Sequence, residues 1–152
     1  MRAVATRVLS ASVTLRDGPS AGERRAIGPG LLVLLGVGPA DGEEQARKLA
    51  DKLLALRIFP NAEGKFDLSV ADAGGELLVV SQFTLYGSLK KGRRPDFTGA
   101  ARPELARPLY ERVAALLAAS GLTVRTGEFG ASMAVESVND GPVTVLMDTD
   151  AF

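Results

Sequence analysis

The sequence predicts an α/β fold: a single compact domain in which mixed or antiparallel sheets curl towards a barrel, with two main helices. Three observations support this. The chain has 152 residues, enough for one domain with a proper core. Apolar runs with strand spacing alternate with two amphipathic stretches of helical spacing, in the order β-β-α-β-α-β-β-β. No repeat, linker or low-complexity tract divides the sequence, so we expect one domain over residues 1–152.

Strands and turns are predicted before the first helix. "AVATRVLSASVTLR" has the near period-two spacing of a strand, as in Val4, Thr6 and Val8. "DGPSAGERRAIGPG" predicts a turn-rich connection with a short polar edge segment, and "LLVLLGVG" predicts a buried strand. Asp41 is expected to open a helix, with Glu44 as its capping-box partner. The predicted core face of this helix comprises Ala46, Leu49, Ala50, Leu53 and Leu54.

The middle of the chain predicts a second strand and a second helix. "NAEGKFD" is typical of a turn or hairpin tip, and "ELLVVSQFTL" of a buried strand with a polar end. A loop over residues 86–101 precedes a helix over residues 103–120. Pro108 would cost the interior of a helix about 3 kcal/mol, so we expect a kink there or a start near Arg107. The predicted core face comprises Leu105, Leu109, Val113, Leu116 and Leu117.

Three further strands are predicted in the last part of the chain, in "LTVRTGEFG", "SMAVESV" and "PVTVLMD". The Asn-Asp-Gly of "VNDGPVTV" lies between two β-branched runs, which favours a hairpin turn. Pro142 is unusual in that position, because it removes an N–H where the returning strand would start to pair.

The residue types that are missing exclude several kinds of chemistry. The sequence contains no histidine and no cysteine, so a Ser-His-Asp triad, disulfides, thiolate chemistry and imidazole-bound zinc are excluded. Asp67, Asp72 and Asp96 do not have metal-ligand spacing, and we expect no metal and no cofactor. An enzyme here must use carboxylates, Lys, Tyr, hydroxyls, backbone amides or groups of its substrate.

Charge and hydropathy bear on partners and location. Eighteen basic residues balance eighteen acidic ones, so a nucleic-acid partner would need a local basic patch. The longest strongly apolar run, "LLVLL", is too short to cross a bilayer. Arg7 interrupts the apolar segment that a signal peptide would need. We therefore expect a cytoplasmic protein without a membrane partner.

The first candidate site is "SQFTL", where polar residues follow a buried strand. Ser81 and Thr84 offer hydroxyls and Gln82 an amide, and backbone N–H groups around Phe83 could face an oxyanion. Strand exits of this kind commonly carry sites in α/β proteins. The alternative interpretation is that these side chains only satisfy the end of the strand.

The second candidate is a basic loop. Lys90, Lys91, Arg93 and Arg94 place four positive charges within five positions, a pattern that suits phosphates. The alternative is a solvated loop without a partner.

The third candidate is the Gly141-Pro142 dipeptide of "VNDGPVTV". A rigid segment with little side chain suits the presentation of backbone carbonyls to a ligand, but the residues alone permit this hypothesis without selecting it. Arg7 lies in an otherwise apolar strand and needs a partner or a solvent face, of which the second is the default. Met133 is by type more typical of core than of a ligand contact.

Together these segments resemble the bacterial and eukaryotic D-aminoacyl-tRNA deacylases. The resemblance is carried by "SQFTL" (81–85) and by "NDGPVT" (139–144), which matches a C-terminal N-x-G-P-V-T segment of that family. It extends over nearly the whole chain, through "RVLSASV", "GLLVLLGV", "LRIFPNAEGK" and "RRPDF". Two motifs in this order, with these intervening blocks, are strongly specific.

The resemblance implies an enzyme that hydrolyses the ester between a D-amino acid and the terminal adenosine of tRNA, and that also acts on glycyl-tRNA. It implies a homodimer with its active site at the subunit interface, where a cis Gly141-Pro142 enters the partner's site. The two carbonyls would hold the substrate's amino group and α-hydrogen and leave no room for an L side chain. Arg7 would brace this motif, and Asn139 and Met133 join the substrate-binding candidates.

In this interpretation catalysis needs positioning, an oxyanion-binding N–H near Phe83 and Thr84, and the tRNA 2′-hydroxyl. Ser81 and Gln82 would shape the pocket, and the basic loop would meet acceptor-stem phosphates. Thr84 as a nucleophile is the weaker hypothesis, because no imidazole can activate it. Two alternatives remain: a non-catalytic tRNA-binding module and a threonine-nucleophile esterase.

Overall fold

The computed structural model describes residues 1–90 and 92–152. Its helices and strands are, in chain order, β1 (Arg2–Leu15), β2 (Arg24–Ile27), β3 (Gly30–Gly36), α1 (Glu43–Leu54), β4 (Phe59–Pro60), β5 (Phe66–Leu68), β6 (Glu76–Ser81), α2 (Pro103–Ala118), β7 (Val124–Thr126) and β8 (Met133–Asp148). A 3-10 turn, Phe83–Tyr86, follows β6 directly. The short antiparallel pair β4–β5 confirms the hairpin predicted around "NAEGKFD".

Six strands form one mixed sheet that curls nearly into a barrel, as predicted. The order is β2-β1-β3-β6-β7, and β8 pairs with the other edge of β1. β1 is antiparallel to β2, β3 and β8, whereas β3, β6 and β7 run parallel. The two end strands of this order, β2 and β7, approach each other. Arg25 of β2 donates hydrogen bonds to the carbonyls of Thr126 (3.0 Å) at the end of β7 and of Gly127 (3.3 Å) just after it.

The hydrophobic core has two parts, which correspond to the two faces of the strands. The larger part lies between the sheet and the helices, and it contains every buried residue of α1 and α2. The smaller part lies on the other face of the sheet and consists of Val8, Ala11, Val13, Ile27, Leu32, Leu78 and Val80. No helix in the described part of the chain is long and apolar enough to cross a membrane.

Helix α1 begins one residue later than a start capped by Asp41 would place it. Gly42 is its N-cap, and the Gly42 N–H donates to Oε1 of Gln45 at 2.9 Å. Asp41 is engaged elsewhere, since its carboxylate accepts the Gly38 N–H at 2.6 Å and pairs with the Met1 ammonium at 2.6 Å. Four of the five predicted core residues of α1 are buried and Leu54 is half-buried.

Helix α2 begins at Pro103, so the alternative start near Arg107 is wrong. Pro108 lies inside the helix, where its missing N–H leaves the carbonyl of Glu104 without a donor. Glu104 and Pro108 are both exposed, so a water molecule can donate a hydrogen bond to that carbonyl. Leu105 is also wrong as a core residue because it is 37% exposed. Ala106 and Tyr110 are buried in addition to the predicted Leu109, Val113 and Leu117.

The predicted hairpin at residues 139–141 is wrong, because the last two predicted strands are the single strand β8. Its pairing with β1 passes from Val8↔Asn139 to Thr6↔Thr144, so residues 140–143 stand opposite Arg7 alone. This is a β-bulge of unusual length, and the chain continues in its original direction because both flanks pair with β1. Pro142 costs no ladder hydrogen bond within this irregular segment.

Candidate active site

A cavity of about 890 Å³ opens beside the C-terminal ends of β3 and β6. Its other walls are the start of α2 and the segment that leads into β8. Most of the lining is apolar, with polar groups from Ser81, Gln82, Thr98 and Arg102. A concave apolar pocket with a few polar groups, at the carboxyl ends of parallel strands, is typical of a small-molecule site.

Three of the four predicted catalytic residues line this cavity: Ser81, Gln82 and Phe83. Ser81 ends β6 opposite Leu35 of β3, and the Gln82 N–H donates to the Leu35 carbonyl at 2.7 Å. The parallel ladder therefore extends one residue beyond β6 before the backbone turns. Thr84 lies just past this point, is exposed, and does not line the cavity.

The side chain of Gln82 makes a hydrogen bond with the Thr84 hydroxyl. Its Nε2 donates a hydrogen bond to Oγ1 of Thr84. The hydroxyl oxygen is thus an acceptor for the amide, which leaves the hydroxyl proton available for a second partner.

The backbone amides of Phe83 and Thr84 are the unpaired donors of this corner. The 3-10 turn is closed by bonds from Leu85 N–H to the Gln82 carbonyl (3.3 Å) and from Gly87 N–H to the Thr84 carbonyl (2.9 Å). Within residues 1–90 and 92–152, neither the Phe83 nor the Thr84 N–H donates to a protein acceptor. Two such N–H groups at the edge of a cavity can stabilise a developing oxyanion.

Aromatic side chains form much of the cavity wall. The Phe83 ring is 58% exposed and meets Phe97 edge to face, with ring centroids 5.2 Å apart. Phe129 and Tyr110 also line the cavity, with ring centroids 5.9 Å apart. The Tyr110 hydroxyl donates to the Val79 carbonyl at 2.9 Å, and burial raises the pKa of Tyr110 to about 12.

Sequence reasoning did not identify Phe97, Tyr110 and Phe129 as site residues. They come from a loop, from α2 and from the segment before β8, so only the tertiary fold assembles them. A signal was available for two of them, because Phe97 lies in the "RRPDF" block and Phe129 precedes Met133 in "FGASM". Met133 itself lines the cavity and also packs against the smaller core cluster, so its side chain belongs to both.

The Gly141-Pro142 dipeptide lies at the bulge of β8 and is exposed. Its peptide bond is cis. Asn139 spans the bulge, since its Oδ1 accepts the Val143 N–H at 2.9 Å and its Nδ2 donates to Thr144 Oγ1 at 3.3 Å. Gly141 and Pro142 do not line the cavity of their own chain, so one copy of the chain does not bring the two motifs together.

Arg7 lies beneath the bulge and is only 7% exposed, so the default of a solvent-facing arginine is wrong. Its Nε donates to the Asp140 carbonyl at 3.1 Å and pairs with Asp140 Oδ2 at 3.0 Å. Its Nη1 donates to the Ile58 carbonyl at 2.6 Å, beside the β4–β5 hairpin. The guanidinium carbon lies 5.4 Å from the Phe66 ring centroid. Arg7 thus connects the bulge to that hairpin.

The basic loop lies outside the cavity. Lys90, Arg93 and Arg94 are exposed, and Lys91 lies outside the described residues. Reciprocal backbone hydrogen bonds between Ser88 and Asp96, at 2.8 and 2.9 Å, close the base of this loop. In residues 1–90 and 92–152 no group of three or more acidic side chains is arranged to hold a metal ion.

Known proteins resemble this chain over almost its whole length. The model of the family described as D-Tyr-tRNA(Tyr) deacylase matches residues 4–148. The D-aminoacyl-tRNA deacylase of Anaeromyxobacter dehalogenans is 58% identical over 149 residues, which cover 98% of this chain and 97% of that protein. The enzyme of that name from Heliobacterium modesticaldum is 56% identical over 148 residues, covering 97% and 96% of the two chains.

Two solved structures have the same fold. One, described as c-Myc DNA Unwinding Element Binding Protein, superposes with a TM-score of 0.87 at 40% identity and covers 97% of this chain and 98% of its own. The other, a probable eukaryotic D-amino acid tRNA deacylase, has a TM-score of 0.82 over 96% and 97% of the chains, and at 18% identity it supports the fold alone. With the family match and the two relatives, these findings show that the chain belongs to the D-Tyr-tRNA(Tyr) deacylase family and is an enzyme of the D-aminoacyl-tRNA deacylase class.

Proposed function

We propose that this chain hydrolyses the ester bond of D-aminoacyl-tRNA, releasing the free D-amino acid and tRNA. We include glycyl-tRNA mischarged on tRNA-Ala among its substrates, and the cytoplasm as the place of action. The observation that carries the proposal is that the Phe83 and Thr84 amides donate to no acceptor in the described part of the chain and lie beside a cavity lined by Ser81 and Gln82. Ester hydrolysis passes through a tetrahedral oxyanion, which needs donors held in place before the reaction.

The cavity suits the terminal adenosine of tRNA. A volume of about 890 Å³ accommodates a nucleoside and its aminoacyl ester. Phe83, Tyr110, Phe129 and Met133 supply apolar and aromatic surface, against which a purine base packs well. The ester would then lie next to the polar strand end at Ser81.

The hydrolysis can proceed without a strong side-chain base. A water molecule adds to the ester carbonyl, the bond to the ribose 3′ oxygen breaks, and the proton that the water loses ends on that oxygen. The neighbouring 2′-hydroxyl of the substrate can relay this proton, and binding places the groups together. The sequence has no histidine to activate Thr84, and the Thr84 oxygen already accepts the Gln82 amide.

Selection by chirality is proposed to depend on Gly141 and Pro142 from a second copy of the chain. Both residues are exposed on the bulge, braced by Arg7 and Asn139, and lie outside their own cavity. Inserted into a partner's cavity, their carbonyls would face the amino group and α-hydrogen of the substrate and exclude an L side chain. Glycine has no side chain to exclude, so glycyl-tRNA would be accepted.

The surface of β8 supports a homodimer. β8 pairs with β1 alone among the described strands and is thus a sheet edge. It exposes Leu146 (81%), Val138 (52%) and Val135 (42%). An exposed apolar strand at an edge is unfavourable for a monomer and is typical of an interface.

Release of tyrosine from D-tyrosyl-tRNA and L-tyrosyl-tRNA tests the proposal. We expect rapid release from the D ester and negligible release from the L ester. Equal rates, or no release from either substrate, would contradict it.

The role of Thr84 separates the substrate-assisted route from a threonine nucleophile. We expect Thr84→Ala to keep substantial activity, and a tRNA ending in 2′-deoxyadenosine to be hydrolysed far more slowly. The exposed Thr123, remote from the cavity, gives the matched control Thr123→Ala. Complete loss of activity in Thr84→Ala together with a trapped acyl-enzyme would favour the threonine esterase instead.

Exposed Lys90, Arg93 and Arg94 would contribute to binding of the tRNA phosphates. This contribution predicts tRNA binding that weakens steeply with salt.

A further inference from the structure

We propose that Tyr86 is a positioning residue, which holds the 3-10 turn Phe83–Tyr86 so that the Phe83 and Thr84 amides face the reacting ester. This inference rests on the proposed function. Tyr86 closes the turn but does not line the cavity, so it would act through the backbone of its neighbours.

One face of the Tyr86 side chain lies directly on the backbone that leaves β3. A Cβ atom added at Gly38 would be 2.8 Å from the Tyr86 Oη and 3.0 Å from its Cζ. At Gly36 an added Cβ would be 3.3 Å from Tyr86 Cδ2 and 3.0 Å from the Gln82 carbonyl oxygen. Neither glycine is among those with positive φ, so these positions need glycine for space, not for backbone conformation.

Arg2 covers the ring from another side. Its guanidinium carbon lies 4.5 Å from the Tyr86 ring centroid, within the range of a cation–π contact. Nη1 of Arg2 donates to the Leu85 carbonyl at 3.3 Å, and Nε pairs with Asp148 at 3.0 Å. The ring, the backbone of the turn and the end of β8 are therefore connected through one side chain.

The hydroxyl of Tyr86 reaches the loop that leads into α1. It donates to Asp41 Oδ2 at 3.4 Å, and the same oxygen accepts the Gly38 N–H at 2.6 Å. Burial and the neighbouring Asp41 carboxylate raise the pKa of Tyr86, so the hydroxyl stays protonated and donates. The distance of 3.4 Å indicates a weak bond, and the ring is the larger part of the anchor.

The rest of the turn is less buried. None of its four residues is fully buried, and Phe83 and Thr84 are exposed. The backbone hydrogen bonds at its two ends run from the Leu85 N–H to the Gln82 carbonyl and from the Gly87 N–H to the Thr84 carbonyl. Leu85 also lies close to Gly36, but it is the ring of Tyr86 that joins the turn to the Gly36–Gly38 backbone, to Arg2 and to Asp41.

Kinetics of four variants test this role. In Tyr86→Ala, with rates taken per folded molecule, we expect kcat on D-aminoacyl-tRNA to fall at least about tenfold while KM changes little, because misplaced donors lose transition-state stabilisation. Tyr86→Phe keeps the ring and should rescue most of the activity. Gly38→Ala should also lower kcat, because the added methyl group would displace the Tyr86 ring. Gly28→Ala is the matched control, since its Cβ meets only Glu76 Oε2, at 3.7 Å.

The double variant Gly38→Ala/Tyr86→Ala decides whether the two residues act as one unit. We expect it to be no worse than Tyr86→Ala, because the added methyl has no ring to displace. Additive losses, or a kcat for Tyr86→Ala equal to that of the wild type, would overturn the proposal. If Tyr86→Ala does not fold, Tyr86→Leu and Gly38→Ala are compared in the same way.

Hydrogen exchange gives a measurement that does not depend on activity. We expect the Leu85 and Gly87 amides to exchange faster in Tyr86→Ala, and at the wild-type rate in Tyr86→Phe and Gly28→Ala. Unchanged exchange in Tyr86→Ala would overturn the positioning role. If the wild type releases no D-amino acid, the proposed function fails, while exchange still decides whether Tyr86 holds the turn.

Discussion

Replacement of the buried Arg7 by methionine is the most informative single change. Methionine keeps the unbranched apolar stem of the side chain but removes the guanidinium. The carbonyls of Ile58 and Asp140 would lose donors at 2.6 and 3.1 Å, and the Asp140 carboxylate would lose its partner at 3.0 Å. The bulge and the β4–β5 hairpin would then no longer be connected by this side chain.

The size of the effect follows from those contacts. A hydrogen bond from a charged donor contributes about 1.5 kcal/mol or more, so the two carbonyl bonds account for about 3 kcal/mol. The ion pair adds less than about 1 kcal/mol, since the Asp140 side chain is 40% exposed and solvent screens it. We expect Arg7→Met to lower the free energy of unfolding by about 3 kcal/mol, which raises the unfolding equilibrium constant more than about a hundredfold.

Urea unfolding, followed by circular dichroism, measures this change. Arg24→Met is the matched control, because the Arg24–Glu136 pair is 4.0 Å apart and exposed on both sides, and it should change stability by less than about 0.5 kcal/mol. The ratio of D to L hydrolysis should fall in Arg7→Met and stay constant in the control. An Arg7→Met protein with wild-type stability and wild-type D/L ratio would refute the bracing role.

Three further predictions concern other parts of the molecule. Leu146→Glu should leave the monomer fold intact, since this side chain is 81% exposed, but should dissociate the proposed dimer in sedimentation analysis; a dimer that persists in the variant would contradict an interface at Leu146. Phe83→Ala should raise KM with little effect on Tm, because a 58% exposed ring contributes more to binding than to the core. Burial raises the pKa of Tyr110 in the folded state to about 12, so the contribution of this residue to the free energy of unfolding should be constant below pH 10 and should fall by up to about 1.4 kcal/mol per pH unit between pH 10 and 12. Tyr110→Phe should reduce this slope, as pH-dependent unfolding would show.

Strands and helices with strong periodicity were predictable from the sequence. The long N-terminal strand, the buried strands β3 and β6 and the apolar face of α1 depend on local spacing, which local reasoning can detect. Two of the predictions that failed show why local reasoning was not enough. The alternative start of α2 near Arg107 assumed that Pro108 cannot lie inside a helix, although the carbonyl it leaves unpaired belongs to exposed Glu104.

The second failure concerns residues 139–144. Asn-Asp-Gly is a strong local turn signal, but the flanks on both sides pair with the same strand β1, and this non-local pairing keeps the chain extended. The candidate site shows the same difference between local signals, which the sequence reveals, and contacts that form only on folding. "SQFTL" was found because it is contiguous, whereas Phe97, Tyr110 and Phe129 share the cavity only after folding.

The bulge of β8 has a consequence for how far its tip extends. Residues 133–139 and 144–148 pair with β1 on either side of it. The bulge is therefore anchored at both ends to the same strand, β1. How far it projects from the sheet depends on the number of residues between the two anchored positions. Adding or removing one residue within the bulge would lengthen or shorten its tip by a discrete step without moving the sheet. The number of residues in the bulge would therefore determine how deeply the tip enters a neighbouring molecule.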